Sequence, residues 1–121
     1  IDDLADIHLP DLKFGMGMGR DCGTTIGGMP NYWETVPPAI ELLLGRGRQV
    51  IVRHLLMPGH FDCCTAPVLR WLADHPGAQV SLLTQYLAPA QARDALAQQL
   101  TRDEIDRAFA LANEYRLLLI D

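Results

Sequence analysis

The chain has 121 residues, is 49% hydrophobic and carries a net charge of −5 at pH 7. A chain of this length buries roughly two thirds of its unfolded surface, so these values indicate one globular unit and exclude a disordered segment. The acidic balance argues against nucleic-acid binding, because the 10 Lys and Arg residues are scattered and form no basic stripe. No apolar run approaches the roughly 18 residues of a membrane-spanning helix, so no membrane partner is expected.

The sequence begins at Ile1 without an initiator Met or a signal-peptide pattern. We therefore expect a trimmed chain or a segment of a longer protein, with a cytoplasmic location. The cysteines Cys22, Cys63 and Cys64 are odd in number and too few for a disulfide framework, which indicates reduced thiols. The interpretation favoured for them is packing or surface thiols, with no redox or metal role.

The first half of the chain alternates between strand and helix patterns. Residues 5–14 predict a strand, which Pro10 interrupts as a bulge or an end because proline cannot donate to a ladder. A glycine-rich loop, 15–28, follows. Apolar residues recur at helical spacing over 32–44, and Gly45 predicts the end of that helix.

The second half continues the alternation. The β-branched run 50–56 predicts a strand, and Pro67 in a first turn predicts a helix through Leu72. Residues 80–86 predict a third strand. Residues 87–100 have helical propensity but weak caps, and predict a loop with a short helix.

The last elements complete a βαβαβ(α)αβ order. Thr101-Arg-Asp-Glu104 is a capping-box pattern that predicts the start of a helix, and residues 117–120 predict a final strand. Right-handed crossovers then build a parallel sheet with helices on the outside. Four strands in 121 residues make about half of a (β/α)₈ barrel, which needs about 250 residues. We expect a partial barrel over a small doubly wound domain, because the chain starts and stops at strands.

Charged and polar residues follow the ends of three predicted strands. Asp11 and Lys13 end the first, Arg53 the second, and Gln85 and Tyr86 the third. Ligands bind at the carboxyl ends of strands in parallel sheets, and residues two apart on a strand share a face. Arginine and lysine complement a carboxylate, while a carboxylate accepts from an ammonium or a hydroxyl group. The pattern predicts one pocket for a zwitterionic or carboxylate-bearing ligand, with a purely structural salt bridge as the alternative.

Two further patterns favour ordinary packing over a site. Gly15-Met-Gly-Met-Gly19 matches neither dinucleotide nor Walker phosphate loops, so loop flexibility is the favoured interpretation. A second group holds residues that bind metals in many proteins, but its spacing fits no zinc signature. Loop polarity and packing, with no metal site, are therefore expected for His54, His60, Asp62, Cys63 and Cys64.

Five sequence strings occur in order along the chain. They are Leu-Pro-Asp-Leu-Lys-Phe, Ile-Val-Arg-His-Leu-Leu-Met-Pro-Gly-His, Val-Leu-Arg-Trp-Leu-Ala, Val-Ser-Leu-Leu-Thr-Gln-Tyr and Thr-Arg-Asp-Glu-Ile-Asp-Arg-Ala. With them the chain resembles, over nearly its whole length, the carboxy-terminal half of radical SAM proteins related to pyruvate formate-lyase activating enzyme. The resemblance implies an oxidoreductase barrel that binds S-adenosylmethionine (SAM). In that family a reduced [4Fe-4S] cluster cleaves SAM to a 5′-deoxyadenosyl radical, which abstracts hydrogen from a glycyl-radical partner protein.

The resemblance also implies roles for individual residues. Asp11 and Lys13 match the family's Asp-x-Lys, which lines the SAM pocket, and Arg53 matches the arginine of the next strand. Gln85 and Tyr86 stand where activating enzymes often show a histidine, and we include them in the predicted cofactor-binding set.

The family's Cys-x₃-Cys-x₂-Cys cluster motif is absent from the sequence. A [4Fe-4S] cluster is held by cysteine thiolates, so this chain alone should not bind it in the expected way. Residues 1–121 are thus expected to be one segment, with the cluster-binding part outside it and no catalytic residue of its own. Alone, the segment should be inactive.

Two other classes of function remain open at this point. One is an α/β domain that binds a small carboxylate without catalysis. The other is a module that docks another chain through an open sheet edge. Because unpaired edges recruit other chains, the isolated chain is expected to self-associate, with residues 5–9 as the leading candidate edge.

Overall fold

The protein is described here by a computed structural model for residues 7–120. It has an α/β fold in which helices pack against a four-stranded, all-parallel sheet. The strands are β1 (Ile7–His8), β2 (Gln49–Leu55), β3 (Gln79–Leu83) and β4 (Leu118–Ile120). The α-helices are α1 (Cys22–Thr25), α2 (Tyr32–Gly45), α3 (Ala66–Ala73) and α4 (Arg102–Glu114). Shorter elements are 3₁₀ turns at Gly17–Gly19 and Asp94–Ala97 and a π-helical turn at Phe61–Thr65.

The order of the strands in the sheet is the same as their order along the chain, β1-β2-β3-β4. Right-handed crossovers between successive parallel neighbours place the connecting helices on one face of the sheet. This is the arrangement of a (β/α) barrel segment, whereas a doubly wound sheet reverses its strand order at a switch point. The predicted α/β class and parallel sheet are confirmed.

Side chains along β2 alternate between a buried face and a partly exposed face of the sheet. Val50, Val52 and His54 are almost completely buried, whereas Ile51 and Arg53 alternate with them and are partly exposed. The buried side belongs to the main core, where β2 and β3 meet α2 and α3. Its largest fully buried side chains are Leu12, Ile40, Leu69, Leu72, His54, Val50, Val52, Val68, Val80, Cys22, Cys63 and Cys64.

The first strand is shorter than the sequence predicts. Within the described residues, β1 covers Ile7–His8, and the pairing with β2 resumes only at a single bridge between Asp11 and Arg53. Around that bridge, the Arg53 amide donates to the Pro10 carbonyl, in keeping with a proline that can accept but not donate. The prediction of a continuous strand over 5–14 is therefore wrong from residue 9 onward, apart from this bridge. Residues 5 and 6 of that prediction lie outside the described part of the chain.

The other elements follow the predictions more closely. Helix α2 runs to Gly45, and Thr101 and Glu104 form the capping box at the start of α4. The segment 87–100 is a loop with one short helical turn. The third strand ends at Leu83, so residues 84–86 belong to the following loop. No helix in the described residues is long and apolar enough to cross a bilayer.

Candidate functional site

Three charged residues come together at the carboxyl edge of β1 and β2. The Arg53 Nε lies 2.8 Å from Asp11 Oδ1, and the Lys13 Nζ lies 4.0 Å from Asp11 Oδ2. Their side chains are 37–45% exposed, so a ligand can reach them. We call Asp11, Lys13 and Arg53 the charged cluster. Two cations and one carboxylate leave this cluster with one net positive charge, the complement of a single carboxylate.

Alternation along the backbone explains why these residues share a surface. Leu12, between Asp11 and Lys13, is fully buried in the core. In the same way, Arg53 lies between Val52 and His54, both 0% exposed, and points to the opposite face. The predicted convergence of the three charges is therefore present in the structure.

Tyr32, the first residue of α2, forms hydrogen bonds with the backbone of Asp11 and Lys13. Its hydroxyl accepts a hydrogen bond from the Lys13 amide at 2.8 Å and donates to the Asp11 carbonyl at 3.4 Å. Its ring meets that of Phe14 edge to face, with 5.3 Å between the ring centroids. Burial raises the pKa of Tyr32, and the hydrogen bonds from the Lys13 and Phe14 amides oppose that shift. The phenol thus stays neutral and fixes the backbone that presents Asp11 and Lys13.

A cavity of about 360 Å³ opens beside the charged cluster. Asp11 and Lys13 contribute its charged groups, and aromatic and aliphatic side chains form most of the wall. The lining residues are Asp11, Lys13, Phe14, Gly27, Met29, Tyr32 and Val36. A few charged groups on a largely apolar wall of this size are typical of pockets for small organic ligands.

The remaining predicted site residues lie elsewhere. Gln85 lines a separate cavity of about 560 Å³ together with Ser81 and Leu55, at the carboxyl end of β3. Tyr86 donates a 2.6 Å hydrogen bond to the Leu96 carbonyl and packs against the core. Neither lines the cavity beside the charged cluster, and the Tyr86 hydroxyl is already bonded within the chain.

A second group of residues lies in the turn that follows β2. His60 precedes the π-helical turn, which carries Cys63 and Cys64. Residues at positions i, i+3 and i+4 share one helical face, so the histidine and both thiols point to the same side. The wider π-helical ring is set by the Thr65 amide, which donates to the His60 carbonyl five residues back. Such π turns are frequent at functional sites.

The glycine-rich loop brings a third thiol to this face. Cys22 opens α1, whose first turn is capped by the Asp21 carboxylate. A methyl group on Gly15 would lie 2.8 Å from the Cys63 carbonyl, and one on Gly17 would lie 2.3 Å from the Asp62 carbonyl. The loop backbone thus packs directly against the π-helical turn, and these two glycines permit that approach. The favoured interpretation of loop flexibility missed this contact.

The four side chains form a compact buried group, which we call the thiol–imidazole cluster. Its members are Cys22, His60, Cys63 and Cys64, and their Sγ and Nδ1 atoms all lie within 4.8 Å of one another. Cys22 Sγ is 3.7 Å from Cys63 Sγ and also 3.7 Å from His60 Nδ1. His60 Nδ1 is 3.1 Å from Cys63 Sγ and 3.8 Å from Cys64 Sγ.

Burial controls the protonation of His60, Cys63 and Cys64. Desolvation raises the pKa of the Cys63 and Cys64 thiols. It lowers the pKa of His60, and the nearby positive charge of Arg20 lowers that pKa further. Without a counter-charge the thiols of Cys63 and Cys64 therefore stay protonated, and the His60 imidazole stays uncharged. Neutral imidazole nitrogen is a metal ligand as it stands, and a thiol becomes one when it loses its proton.

The sequence interpretation set this group aside because its spacing fits no zinc signature. The signal lay in the spacing His-x₂-Cys-Cys over 60–64, which puts three metal-binding side chains on one helical face. Cys22 could not be added from spacing, because its position depends on how the glycine-rich loop folds back. His54 and Asp62, which were grouped with these residues, lie apart from the cluster.

His54 belongs to the core. It is fully buried on β2, where its Nδ1–H donates to the Leu12 carbonyl at 2.7 Å and its Nε2 accepts from the Thr65 hydroxyl at 2.9 Å. Burial lowers the pKa of His54 to about 4, with the Leu12 hydrogen bond opposing the shift. The neutral ring therefore joins the β1 segment to the start of α3, in agreement with the predicted packing role.

No protein-family profile matches the chain. The uncharacterized protein MJ0674 of Methanocaldococcus jannaschii is 33% identical over 120 residues, which cover 97% of this chain and 34% of that protein. The chain therefore spans about a third of the length of the curated relative it matches. The name of that protein states neither a ligand nor a reaction.

Proposed function

We propose that this chain is the SAM-positioning and substrate-side segment of a radical SAM enzyme that resembles the activating enzymes of glycyl-radical proteins. The observation that carries the proposal is the charged cluster, in which one carboxylate holds two cations at the carboxyl edge of neighbouring parallel strands. That edge is where parallel α/β proteins bind their ligands. The chain-order sheet and the resemblance in sequence support the same assignment.

The chemistry of the charged cluster suits the amino-acid end of SAM. The Arg53 guanidinium offers several N–H donors in a planar fork, and Lys13 adds a second positive charge nearby. Asp11 orients both cations and can accept from an ammonium or ribose hydroxyl group. The adjoining cavity adds an apolar wall through Phe14 and Met29. These residues would bind and orient the ligand, while the cofactor performs the radical chemistry.

The described residues do not fit the [4Fe-4S] cluster implied by the resemblance. The sequence has three cysteines and lacks the Cys-x₃-Cys-x₂-Cys spacing. The ligand atoms of the thiol–imidazole cluster lie within 4.8 Å of one another. In a four-iron cluster each thiolate binds a different iron of a cube, which separates the sulfur atoms more widely. No step of the proposed function is assigned to such a cluster in this chain.

Calorimetric titration of SAM into the natural full-length protein tests the proposal. Arg53→Ala should weaken SAM binding by about 1.5–3 kcal/mol, the range for a hydrogen bond to a charged group, and Lys13→Ala should act similarly. Arg53→Lys should recover only part of the loss, because an ammonium cannot make the paired contact. Arg102→Ala is the matched control, since that arginine is 84% exposed on α4 and lies outside the site.

The same titration separates the alternatives. Unchanged SAM affinity in Arg53→Ala, together with a large fall in melting temperature, would reject the pocket and favour a structural salt bridge. If methionine and simple carboxylates bind as tightly as SAM, the chain is instead a non-catalytic carboxylate-binding domain that uses the same three residues.

A further inference from the structure

We propose that the thiol–imidazole cluster is a closed tetrahedral Zn²⁺ site, in which Cys22, His60, Cys63 and Cys64 supply all four ligands. The site joins the loop after β1 to the turn after β2. It is independent of the SAM proposal, because none of its ligands belongs to the charged cluster.

Three distances between ligand atoms match the edges of a zinc tetrahedron, and all four ligand atoms lie within 4.8 Å of one another. With Zn–S bonds of about 2.3 Å and a Zn–N bond of about 2.0–2.1 Å, tetrahedral angles place neighbouring ligand atoms about 3.5–3.8 Å apart. Cys22 Sγ lies 3.7 Å from both Cys63 Sγ and His60 Nδ1. Cys64 Sγ lies 3.8 Å from His60 Nδ1. The separation of His60 Nδ1 and Cys63 Sγ is shorter, 3.1 Å, and a bound ion would widen it by about half an ångström.

The type of ligand selects the metal. Three thiolates and one imidazole form a Cys₃His set, one of the ligand sets of structural zinc sites. Calcium and magnesium require oxygen ligands, and the cluster offers none. A disulfide between Cys22 and Cys63 is a poorer description, because a bond needs the sulfur atoms about 2.05 Å apart. The two sulfur atoms are 3.7 Å apart.

Burial makes this a closed site. Relative exposure is 1% for Cys22 and Cys63, 0% for Cys64 and 4% for His60. Catalytic zinc sites keep one position for water or substrate, whereas four protein ligands leave none. A structural ion is therefore the consistent assignment.

The surroundings also suit the charge of the complex. Zinc with three thiolates and a neutral imidazole carries one net negative charge. Arg20 lines the same cavity as His60, and its positive charge acts on both His60 and Cys63. The loop residue that precedes α1 by two positions thus provides the counter-charge next to the ion.

Metal analysis of the natural full-length protein, purified with zinc in the medium, tests the assignment. We expect about one zinc ion per chain, with an X-ray absorption first shell of three sulfur atoms at about 2.3 Å and one nitrogen at about 2.0–2.1 Å. Co²⁺ added to the zinc-depleted protein should show the intense visible bands of tetrahedral thiolate coordination. Neither measurement depends on SAM binding or on any activity.

Substitutions then locate the ion. Cys22→Ser and His60→Ala should each weaken zinc affinity by at least about tenfold, because loss of a hydrogen-bond partner of a ligand alone costs about 10–100-fold. Asp62→Asn is the matched control from the same turn, because its carboxylate faces Arg107 outside the cluster. Zinc should also protect the three thiols from alkylation in the unsubstituted protein, and removing it with a chelator should expose them.

Four results would overturn the proposal. The first is the absence of bound zinc from protein purified with zinc in the medium, and the second is a zinc shell made only of nitrogen and oxygen atoms. The third is bound iron that is lost in Cys22→Ser, and the fourth is a Cys22–Cys63 disulfide found by mass spectrometry in freshly purified protein. Because these measurements are made first on the unsubstituted protein, a variant that fails to fold does not obscure the result.

Discussion

The charged cluster and the thiol–imidazole cluster occupy the same edge of the sheet but differ in exposure. Side chains of the charged cluster are 37–45% exposed, whereas no member of the thiol–imidazole cluster exceeds 4%. Half-exposed ions retain much of their hydration and can exchange partners at low cost. Buried thiols lose hydration and cannot ionise without a compensating charge. The first arrangement suits a ligand that comes and goes, and the second suits an ion that stays.

The two clusters are also linked through the loop after β1. Gly27 and Met29, from the end of this loop, line the cavity beside the charged cluster. Cys22 anchors the same loop to the π-helical turn. A metal bound by Cys22 would therefore hold one wall of the ligand cavity without touching the ligand.

Removing zinc should produce the largest change in stability, because the ion binds only the folded arrangement. With free zinc at a thousand times its dissociation constant, the linkage is worth about 4 kcal/mol. Urea unfolding with excess zinc and with a chelator measures the difference. Asp62→Asn should keep this dependence and His60→Ala should lose it. Lys13→Ala, in the exposed cluster, should change the free energy of unfolding by less than about 0.5 kcal/mol. An equal free energy of unfolding with zinc and with a chelator would contradict a stabilising zinc ion in the thiol–imidazole cluster.

Acid should weaken the protein through His54, which lies next to Arg53 on β2 but faces the core. Its folded-state pKa of about 4 is below the ordinary value of 6.5, so the unfolded chain takes up the proton first. The resulting stability is complete above pH 6.5 and is lost as the pH falls toward 4. The loss amounts to about 3 kcal/mol.

His54→Asn provides the control for this prediction. Asparagine can still donate to the Leu12 carbonyl but has no titrating ring. The variant should be less stable at neutral pH and should lose the part of the pH dependence that His54 contributes between pH 6.5 and about 4, the range over which its pKa is shifted. Urea unfolding at a series of pH values measures both. Identical pH slopes in the two proteins would show that folding does not lower the pKa of His54.

The difference between the clusters also explains what the sequence could predict. Asp11, Lys13 and Arg53 follow the period-two alternation of strands, so their shared face and shared edge could be derived from local pattern. The thiol–imidazole cluster needs a π-helical turn and a loop that folds back over 41 residues, from Cys22 to Cys63. No local periodicity encodes such a contact. Pro10 predicted an interruption of the first strand, but local pattern does not show that regular pairing ends at His8 and resumes only at the bridge between Asp11 and Arg53.

Gly17→Ala should weaken the contact between the loop after β1 and the π-helical turn, with a smaller loss of stability than the removal of zinc. The added methyl group would lie 2.3 Å from the Asp62 carbonyl, so the loop must move away from the π-helical turn. Overpacking of this kind costs about 1–3 kcal/mol, and we expect weaker zinc binding to accompany it. Gly45→Ala is the matched control, because a methyl group there meets nothing within 4 Å. It should be neutral or stabilise by up to about 1 kcal/mol. Equal zinc affinity in both variants would contradict the proposed packing of the loop.

The smallest effect is expected at the edges of the sheet, away from both clusters. Among the described strands, β1 pairs only with β2, and β4 only with β3. Ile7 and Leu118 on these edges are 48% and 56% exposed. Such edges recruit other chains, so the isolated 121-residue chain should self-associate weakly. Ile7→Lys should reduce association, as edge lysines do in natural sheets, without changing zinc content. A monomer over a wide concentration range in sedimentation, with β1 amides protected from hydrogen exchange, would show that this edge is covered.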